Sequence, residues 1–274
     1  LMKIAYFGYN AFSSCIDLLI SRGHEIVCIY TGENSVHTDR VIKYSKLKQI
    51  PLSFDKPNQH QMDAMVRAGV DLFLSAEYPW KIPIPDQLKF AINIHPTMLP
   101  EGRGPTPLPS LLLAHAQHAG ITFHKMTNSY DEGEILLQKR VKIEQNESFD
   151  TLSAKLYVDI PFLLDELLSK FNHYYENGTT QEKGTYWGKL SRQDQTVNWN
   201  RSTTKVLHQL KAFGSLGVYS EIQGQTHLIT AAEGVIHQHN FKAGDVVLID
   251  EINLVIATRD GLISMPRNCL LSLE

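Results

Sequence analysis

Asn93 and His95, two residues apart, are the first place in the 274-residue chain where side-chain type and spacing suit chemistry. In an extended segment side chains alternate between faces, so both project to one side while Ile94 turns away. A carboxamide beside an imidazole suits acyl transfer. The amide N–H stabilises the oxyanion of a tetrahedral intermediate, and the imidazole adds a hydrogen bond or carries the proton. A carboxylate commonly orients such an imidazole and raises its basicity. Asp131, in the turn Asp131-Glu132-Gly133, is the candidate for that task. The same residues serve structure equally well, because a histidine before Pro96 can be simply packed or solvated and an aspartate near a glycine is an ordinary turn residue. On residue chemistry alone, acyl transfer and proton transfer stay open.

Short apolar runs at 3–7, 25–30, 70–75 and 90–94 read as buried strands, with helical spacing between them at 15–20, 36–49 and 59–68. Strand–helix alternation of this kind predicts an α/β fold, a doubly wound and mostly parallel sheet covered by helices on both faces. Ligands of such sheets sit outside the carboxyl ends of the strands, which is where Asn93 and His95 fall. A proline-rich loop is expected over 96–109, a helix over 111–117, strands over 121–126 and 135–143, and a long amphipathic helix over 150–171 with Asp150 as its N-cap. Beyond 177 the pattern changes to short strands separated by glycine turns, which predicts a small β-barrel-like domain. The expected division is a catalytic domain at 1–190 and a β-rich domain at 191–274.

Apolar residues make up 43% and charged residues 20% of the chain, which excludes a disordered protein, and a formal net charge of −3 gives no general attraction to nucleic acid. No apolar run approaches the roughly 18 residues of a membrane span, and the first residues read as a strand instead of a signal peptide. Cys15, Cys28 and Cys269 form no short-spaced pair, so reduced thiols and a cytoplasmic location are expected. His115 and His118 could share one helical face, but no third ligand lies nearby in sequence, and no metal is expected. The segment Gly8-Tyr9-Asn10-Ala11-Phe12-Ser13 lacks the G-x-G-x-x-G spacing, which argues against a nicotinamide dinucleotide.

The string Asn93-Ile94-His95-Pro96-Thr97-Met98-Leu99-Pro100, followed by Gly102-Arg103-Gly104-Pro105, resembles the Asn-x-His-x-Ser-Leu-Leu-Pro-x-Tyr-Arg-Gly signature of folate-dependent formyltransferases. Ala119-Gly120-Ile121-Thr122 is similar to that family's Thr-Gly-Val-Thr strand start, and Asp131-Glu132-Gly133-Glu134-Ile135-Leu136 to its Asp-x-Gly-x-Ile-Leu turn. The three occur in the family's order and spacing, over about residues 2–170. Thr97 and Met98 replace the usual Ser and Leu, and Gly102 stands where Tyr is common, changes that bear on loop packing and acceptor shape. The resemblance implies that Asn93 binds the formyl oxygen, that His95 donates a hydrogen bond and carries the proton, and that Asp131 orients His95 and helps deprotonate the amine. It implies 10-formyltetrahydrofolate as the donor, lying against Trp80, Lys81 and Ile82 and against Thr127, Asn128, Ser129 and Tyr130, with no metal. Arg103 and Pro105 are the candidate acceptor contacts.

Three amine acceptors compete. The segment around Tyr186-Trp187-Gly188-Lys189, with 197–199 and 206–213, is similar to the one that follows the catalytic domain in amino-sugar formyltransferases, which favours a nucleotide-linked amino sugar. An amino acid such as hydroxyornithine, as in siderophore assembly, is the next alternative. Methionyl-tRNA comes last: residues 191–274 hold seven Lys or Arg against eight Asp or Glu, a net charge of −1 and a poor grip for phosphates. A non-catalytic binding module that kept the fold is the reading from a different class, and the intact trio speaks against it. The apolar segment 268–273 would suit an interface between two copies.

Overall fold

The computed structural model describes residues 1–33 and 35–273. It divides into two units, Leu1–Pro107 with His118–Lys142 and Ser153–Gly188, and Leu108–Gln117 with Ile143–Leu152 and Lys189–Glu274.

In the first unit the apolar runs become one sheet. Strands β1 (Lys3–Gly8), β2 (Glu25–Tyr30), β3 (Leu52–Ser53), β4 (Leu72–Ala76), β5 (Phe90–His95), β6 (His118–Lys125) and β7 (Ile135–Lys142) lie in the order β3-β2-β1-β4-β5-β6-β7. Pairing is parallel from β3 through β5 and antiparallel for β6 and β7, the mostly parallel arrangement expected. Every residue of β4, and all of β1 after Lys3, is buried, as strands covered on both faces must be. Helices α1 (Ser14–Ser21), α2 (Asp39–Lys48) and α3 (Gln59–Arg67) connect these parallel strands. Asn58 accepts from the Gln61 N–H and Gln61 answers to the Asn58 N–H, a capping box that fixes where α3 begins. Phe7 stacks on Tyr30 at 5.1 Å and meets Phe73 edge-on at 5.3 Å. Each such buried aromatic contributes about 1.5–3 kcal/mol relative to exposure. The chain leaves β1 for β2 on one side and returns to β4 on the other. That reversal puts a switch point at the carboxyl ends of β1 and β4, with β5 adjoining.

Two local expectations are corrected. Helix α4 spans Pro107–Leu113, not 111–117, because Pro107 and Pro109 occupy its first turn, where a missing N–H forfeits no helical bond. The chain then turns at His115 (φ +52°), and β6 starts at His118. Helix α5 (Phe149–Ser169) is followed by α6 (Phe171–Glu176). Asp150 lies inside the first turn of α5, where its carboxylate accepts from the Ser215 N–H at 3.0 Å, and the Ser148 hydroxyl takes the Thr151 N–H in its place. Tyr157, Ile160, Leu163, Leu164 and Leu167 of α5 face its packed side, with Ile160, Leu164 and Leu167 fully buried.

The second unit contains α7 (Thr203–Phe213) and antiparallel strands β8 (Val218–Ile222), β9 (Gln225–Ile229), β10 (Glu233–Ile236), β11 (Val246–Ile249), β12 (Asn253–Ala257), β13 (Gly261–Pro266) and β14 (Leu270–Ser272). They form two sheets, β10-β13-β12-β11 and β14-β9-β8, around Val206, Leu210, Phe213, Val218, Ile256 and Ile263. Strand β10, whose four residues are all exposed, and the three-residue β14 carry too little alternation to be read from sequence. Among the described residues no helix is long and apolar enough to cross a membrane.

Candidate active site

Asn93 sits in the sheet interior, paired in register with Ser75 of β4 and with His124 of β6. Directly opposed side chains on neighbouring strands are close enough to touch, and the Asn93 Nδ2 lies 3.0 Å from His124 Nε2. The other nitrogen of His124, Nδ1, lies 2.9 Å from the Lys125 carbonyl. A carbonyl only accepts, so Nδ1 carries the proton and Nε2 offers its lone pair to the Asn93 amide. The amide also points at Asp131 Oδ1 over a longer 3.4 Å. One of its hydrogens is thus firmly held and the other loosely.

His95 is 5% exposed and follows the same accounting. Its Nε2 donates to the Gly102 carbonyl at 2.8 Å, which leaves the Nδ1 lone pair facing Asp131 Oδ1 at 3.5 Å. Burial pulls the His95 pKa below its ordinary value and outweighs the opposing pull of Asp131 and the Gly102 carbonyl. Burial pushes Asp131 the other way, but the neighbouring His124 and His95 rings and the Gly104 N–H together outweigh it and hold its carboxyl below the usual range. At neutral pH the arrangement is therefore a neutral imidazole with a bare Nδ1 beside an ionised carboxylate.

Asp131 adopts φ +55°, a left-handed conformation uncommon for a residue with a side chain. What holds it there is a set of bonds to its backbone and carboxylate. Gly104 N–H donates to Oδ2 at 2.9 Å, and Gln181 Nε2 donates to the carbonyls of Asp131 and Gly133 at 2.9 and 2.7 Å. The loop bearing Gly102 and Gly104 is braced in turn. Thr122 Oγ1 donates to the Thr97 carbonyl, Gln138 Nε2 to the Leu99 carbonyl, and the Gly102 N–H to Thr185 Oγ1. These braces fix the Gly102 carbonyl that sets the His95 tautomer.

The sequence-predicted positions divide into groups. Asn93, His95 and Asp131 come together at the end of β5. Arg103 lies beside them, but its guanidinium donates to Gln181 Oε1 at 3.1 and 2.9 Å and to the Glu182 carbonyl at 3.2 Å, so it braces the loop. Pro105 is exposed in that loop. Ile82 belongs to the apolar cluster of Phe7, Tyr30 and Phe73, and Met126, just before Thr127, packs against the same cluster. The two segments named for the donor therefore border one apolar floor. Trp80 meets Tyr78 edge-on at 5.5 Å, with Lys56 Nζ 5.6 Å above its ring. Lys81, Asn128, Ser129 and Tyr130 are exposed, and Thr127 Oγ1 accepts from the Ser129 N–H. His115 stacks on His208 at 3.9 Å, and among the described residues no group of three or more His, Cys, Asp or Glu is placed to hold a metal. His124 and Gln181 escaped sequence reasoning. The alternation Thr122-Phe123-His124 marks His124 as sharing a face with Thr122, but only the β5–β6 register shows that it meets Asn93.

Comparison with known proteins agrees with this geometry. The family model for formyl transferase matches residues 2–159, and that for its C-terminal domain matches residues 189–267. The methionyl-tRNA formyltransferase of Staphylococcus aureus (strain MW2) is 25% identical over 274 residues, covering 94% of this chain and 88% of that protein. Among solved structures, HypX from Aquifex aeolicus in complex with tetrahydrofolic acid superposes with a TM-score of 0.68 at 21% identity, over 96% of this chain. The chain spans only 43% of that longer protein. The N-formyltransferase from Helicobacter canadensis, solved with folinic acid and dTDP-3-aminofucose, superposes with a TM-score of 0.66 at 14% identity, over the full length of both chains. At such identities these likenesses speak for the fold. The first family model alone spans more than half of the sequence and takes in every residue of the Asn93, His95 and Asp131 cluster, so the chain belongs to the formyl transferase family.

Proposed function

We propose that the chain transfers the formyl group of 10-formyltetrahydrofolate to the primary amine of a nucleotide-linked amino sugar, with Asn93, His95 and Asp131 at the reacting centre. The observation that carries the reading is the pairing of a neutral His95, its Nδ1 unprotonated, with an ionised Asp131 at the carboxyl end of β5. The donor fits the residues named for it. Among the described residues the backbone N–H groups of Trp80, Lys81 and Ile82 have no hydrogen-bond partner, which leaves them free for the heteroatoms of a pterin ring above the apolar floor. A relative solved with dTDP-3-aminofucose and a C-terminal segment of net charge −1 support a sugar acceptor over tRNA. The free cysteines fit a cytoplasmic enzyme.

Each residue then has a task. Asn93 exchanges its 3.4 Å contact with Asp131 for the formyl oxygen and donates to that oxygen as charge builds on it. His95 Nδ1 takes the proton that the amine nitrogen sheds as it bonds to the formyl carbon. Asp131 stabilises the resulting imidazolium, and His95 returns the proton to N10 of the folate as the old C–N bond breaks. His124 keeps the amide plane of Asn93 fixed. Removing it by His124→Leu leaves that amide without its partner, a loss of about 1–3 kcal/mol. Steady-state kinetics should show kcat falling roughly 10–100-fold with little change in acceptor KM, and a His124→Leu enzyme with unchanged kcat would remove His124 from the mechanism.

The pH dependence follows from the two shifts. His95 must be neutral, and its folded pKa is lowered, so its acid limb lies below about 6.5. Above that limb, kcat/KM should keep rising only as the free acceptor amine loses its proton. The same shift has a stability consequence. The unfolded chain binds a proton at His95 more readily than the native one, so stability is full above about pH 6.5 and declines as pH falls toward the lowered folded pKa. Thermal melts from pH 7 to pH 5 should show the decline, and it should be smaller in His95→Gln.

The function itself is tested with 10-formyltetrahydrofolate and three acceptors: dTDP-3-aminofucose, N5-hydroxyornithine and methionyl-tRNA. Transfer to the amino sugar, abolished by His95→Ala, is the expected result. Efficient formylation of the tRNA at moderate salt would overturn the acceptor assignment, and transfer to none of the three would overturn the reaction.

A further inference from the structure

Ser75 of β4 has no task in the reaction as described so far. Strand β4 reads Leu-Phe-Leu-Ser-Ala, and Ser75 is its one polar residue. The register places it in a row that crosses the sheet. Phe7 of β1 pairs with Ser75, Ser75 with Asn93 of β5, and Asn93 with His124 of β6. Partners in register project to the same face, and neighbouring strands run about 4.8 Å apart. Ser75 therefore stands beside the reacting amide, on the side away from His124. On its other flank lies Phe7, and Phe73, two residues earlier in β4, shares the same face. Both rings belong to the apolar floor.

The Ser75 hydroxyl is unpartnered. The residue is 5% exposed, and among the described residues its oxygen takes part in no hydrogen bond. Two buried hydroxyls nearby show the usual solution: Thr97 Oγ1 donates to the Glu101 carbonyl and Thr122 Oγ1 to the Thr97 carbonyl. A hydroxyl withdrawn from water without a partner is destabilising, so alanine would be the more stable residue in this strand. The oxygen is not sealed in either, unlike the enclosed hydroxyls of Tyr6 and Thr31. It is unpaired but reachable, in an otherwise apolar strand and next to the reacting amide. A hydroxyl so placed takes its partner from a ligand.

We propose that Ser75 selects the formyl donor: its hydroxyl oxygen accepts a hydrogen bond from N5–H of the reduced pterin. This deepens the proposed use of 10-formyltetrahydrofolate and rests on it. The order of groups along the row matches the order of groups along the folate. Asn93 takes the formyl oxygen and the floor around Phe7 takes the pterin, so Ser75 meets what lies between them. N10, the C9 methylene and the C6–N5 edge of the pterin lie there. N10 is an amide nitrogen without a hydrogen, and its lone pair is drawn into the formyl group. C9 offers neither a donor nor an acceptor. N5 is the nearest group that does, a secondary amine with its own N–H, and a hydroxyl oxygen accepts that bond. The ligand class this selects is a tetrahydropterin whose N5 still carries its hydrogen.

Binding to the full chain tests this without turnover. Calorimetry compares tetrahydrofolate with 5-deazatetrahydrofolate, in which a methylene replaces N5–H. The wild type should bind tetrahydrofolate about tenfold more tightly, the worth of one well-made hydrogen bond. Ser75→Ala should bind both folates alike, at the weaker affinity. Ser75→Cys keeps the size but is a poor acceptor, so it should do the same and separate the hydrogen bond from packing. In kinetics the donor KM should rise about tenfold in Ser75→Ala while the acceptor KM moves less than about twofold. Without ligand, Ser75→Ala should melt no lower than the wild type, because no protein group loses a bond. A wild type indifferent to the deaza substitution overturns the assignment, as does a Ser75→Ala protein that still discriminates. A marked drop in the melting temperature of unliganded Ser75→Ala would do so too, by revealing a structural task for the hydroxyl. A wild type that binds neither folate would overturn the proposed donor itself, and the part of Ser75 with it.

Discussion

Replacing Asp131 with asparagine is expected to lower kcat/KM by about three orders of magnitude with the fold intact. The substitution preserves shape, and the new amide oxygen can still accept the Gly104 N–H now held at 2.9 Å. Two things are lost together. The negative charge that would stabilise a protonated His95 disappears, and an amide N–H now faces His95 Nδ1 from the position 3.5 Å away where Asp131 Oδ1 stands. That N–H donates to the very lone pair required as base. General acid–base assistance is worth roughly 10²–10⁴-fold, and the electrostatic loss adds to it. Because the tautomer of His95 is set by the Gly102 carbonyl and not by Asp131, the imidazole itself should stay in place. The measurement is kcat/KM with the amino-sugar acceptor alongside a thermal melt. Retention of a tenth of the activity in a normally melting Asp131→Asn protein would show that the carboxylate does not act on His95.

Much of this arrangement was legible in the sequence, and the reasons are local. Lys3–Gly8 and Leu72–Ala76 announce themselves because a strand buried on both faces has to be a continuous apolar run. Asn93 and His95 stood out because a period of two puts them on one face at a strand end. Other parts depend on contacts that no spacing encodes. Arg103 offers the same sequence signal whether it meets a phosphate or braces a loop, and only the fold reveals its brace to Gln181, 78 residues away. Gln181 itself sits in a polar segment with no periodicity, although it carries the carbonyls of the Asp131 turn. The start of α4 was misplaced because proline reads as a breaker, and only its position within the first turn makes it compatible with a helix. His124 shows the intermediate case: alternation gives its face, while the antiparallel register supplies its partner.

Gly104→Ala should be the most damaging change outside the Asn93, His95 and Asp131 cluster. Gly104 adopts φ +120°, a conformation that residues with a Cβ avoid, and a Cβ there has no space because the Trp187 carbonyl occupies its position. Neither obstacle can be relieved alone. The Trp187 N–H donates to the Arg103 carbonyl at 2.7 Å and the Arg103 N–H to the Thr185 carbonyl at 3.0 Å, so the 185–187 segment moves only with the loop it straps. We expect a loss of about 2–4 kcal/mol, seen as a melting temperature lower by roughly 5–10 °C. The effect on catalysis should exceed what destabilisation explains. Rotating the 104 peptide withdraws the N–H from Asp131 Oδ2, one of the influences holding that carboxyl below its usual range. The Asp131 pKa then rises toward the ordinary carboxylate range and the carboxylate loses its fixed place beside His95 Nδ1, so kcat falls about 10–100-fold at a temperature where the variant is fully folded. A variant that melts early yet keeps its kcat and pH profile would reduce the Gly104 N–H to a structural brace. A variant that melts normally would mean that the strap yields, and that the tight approach of Trp187 is not what fixes the loop beneath the reacting centre.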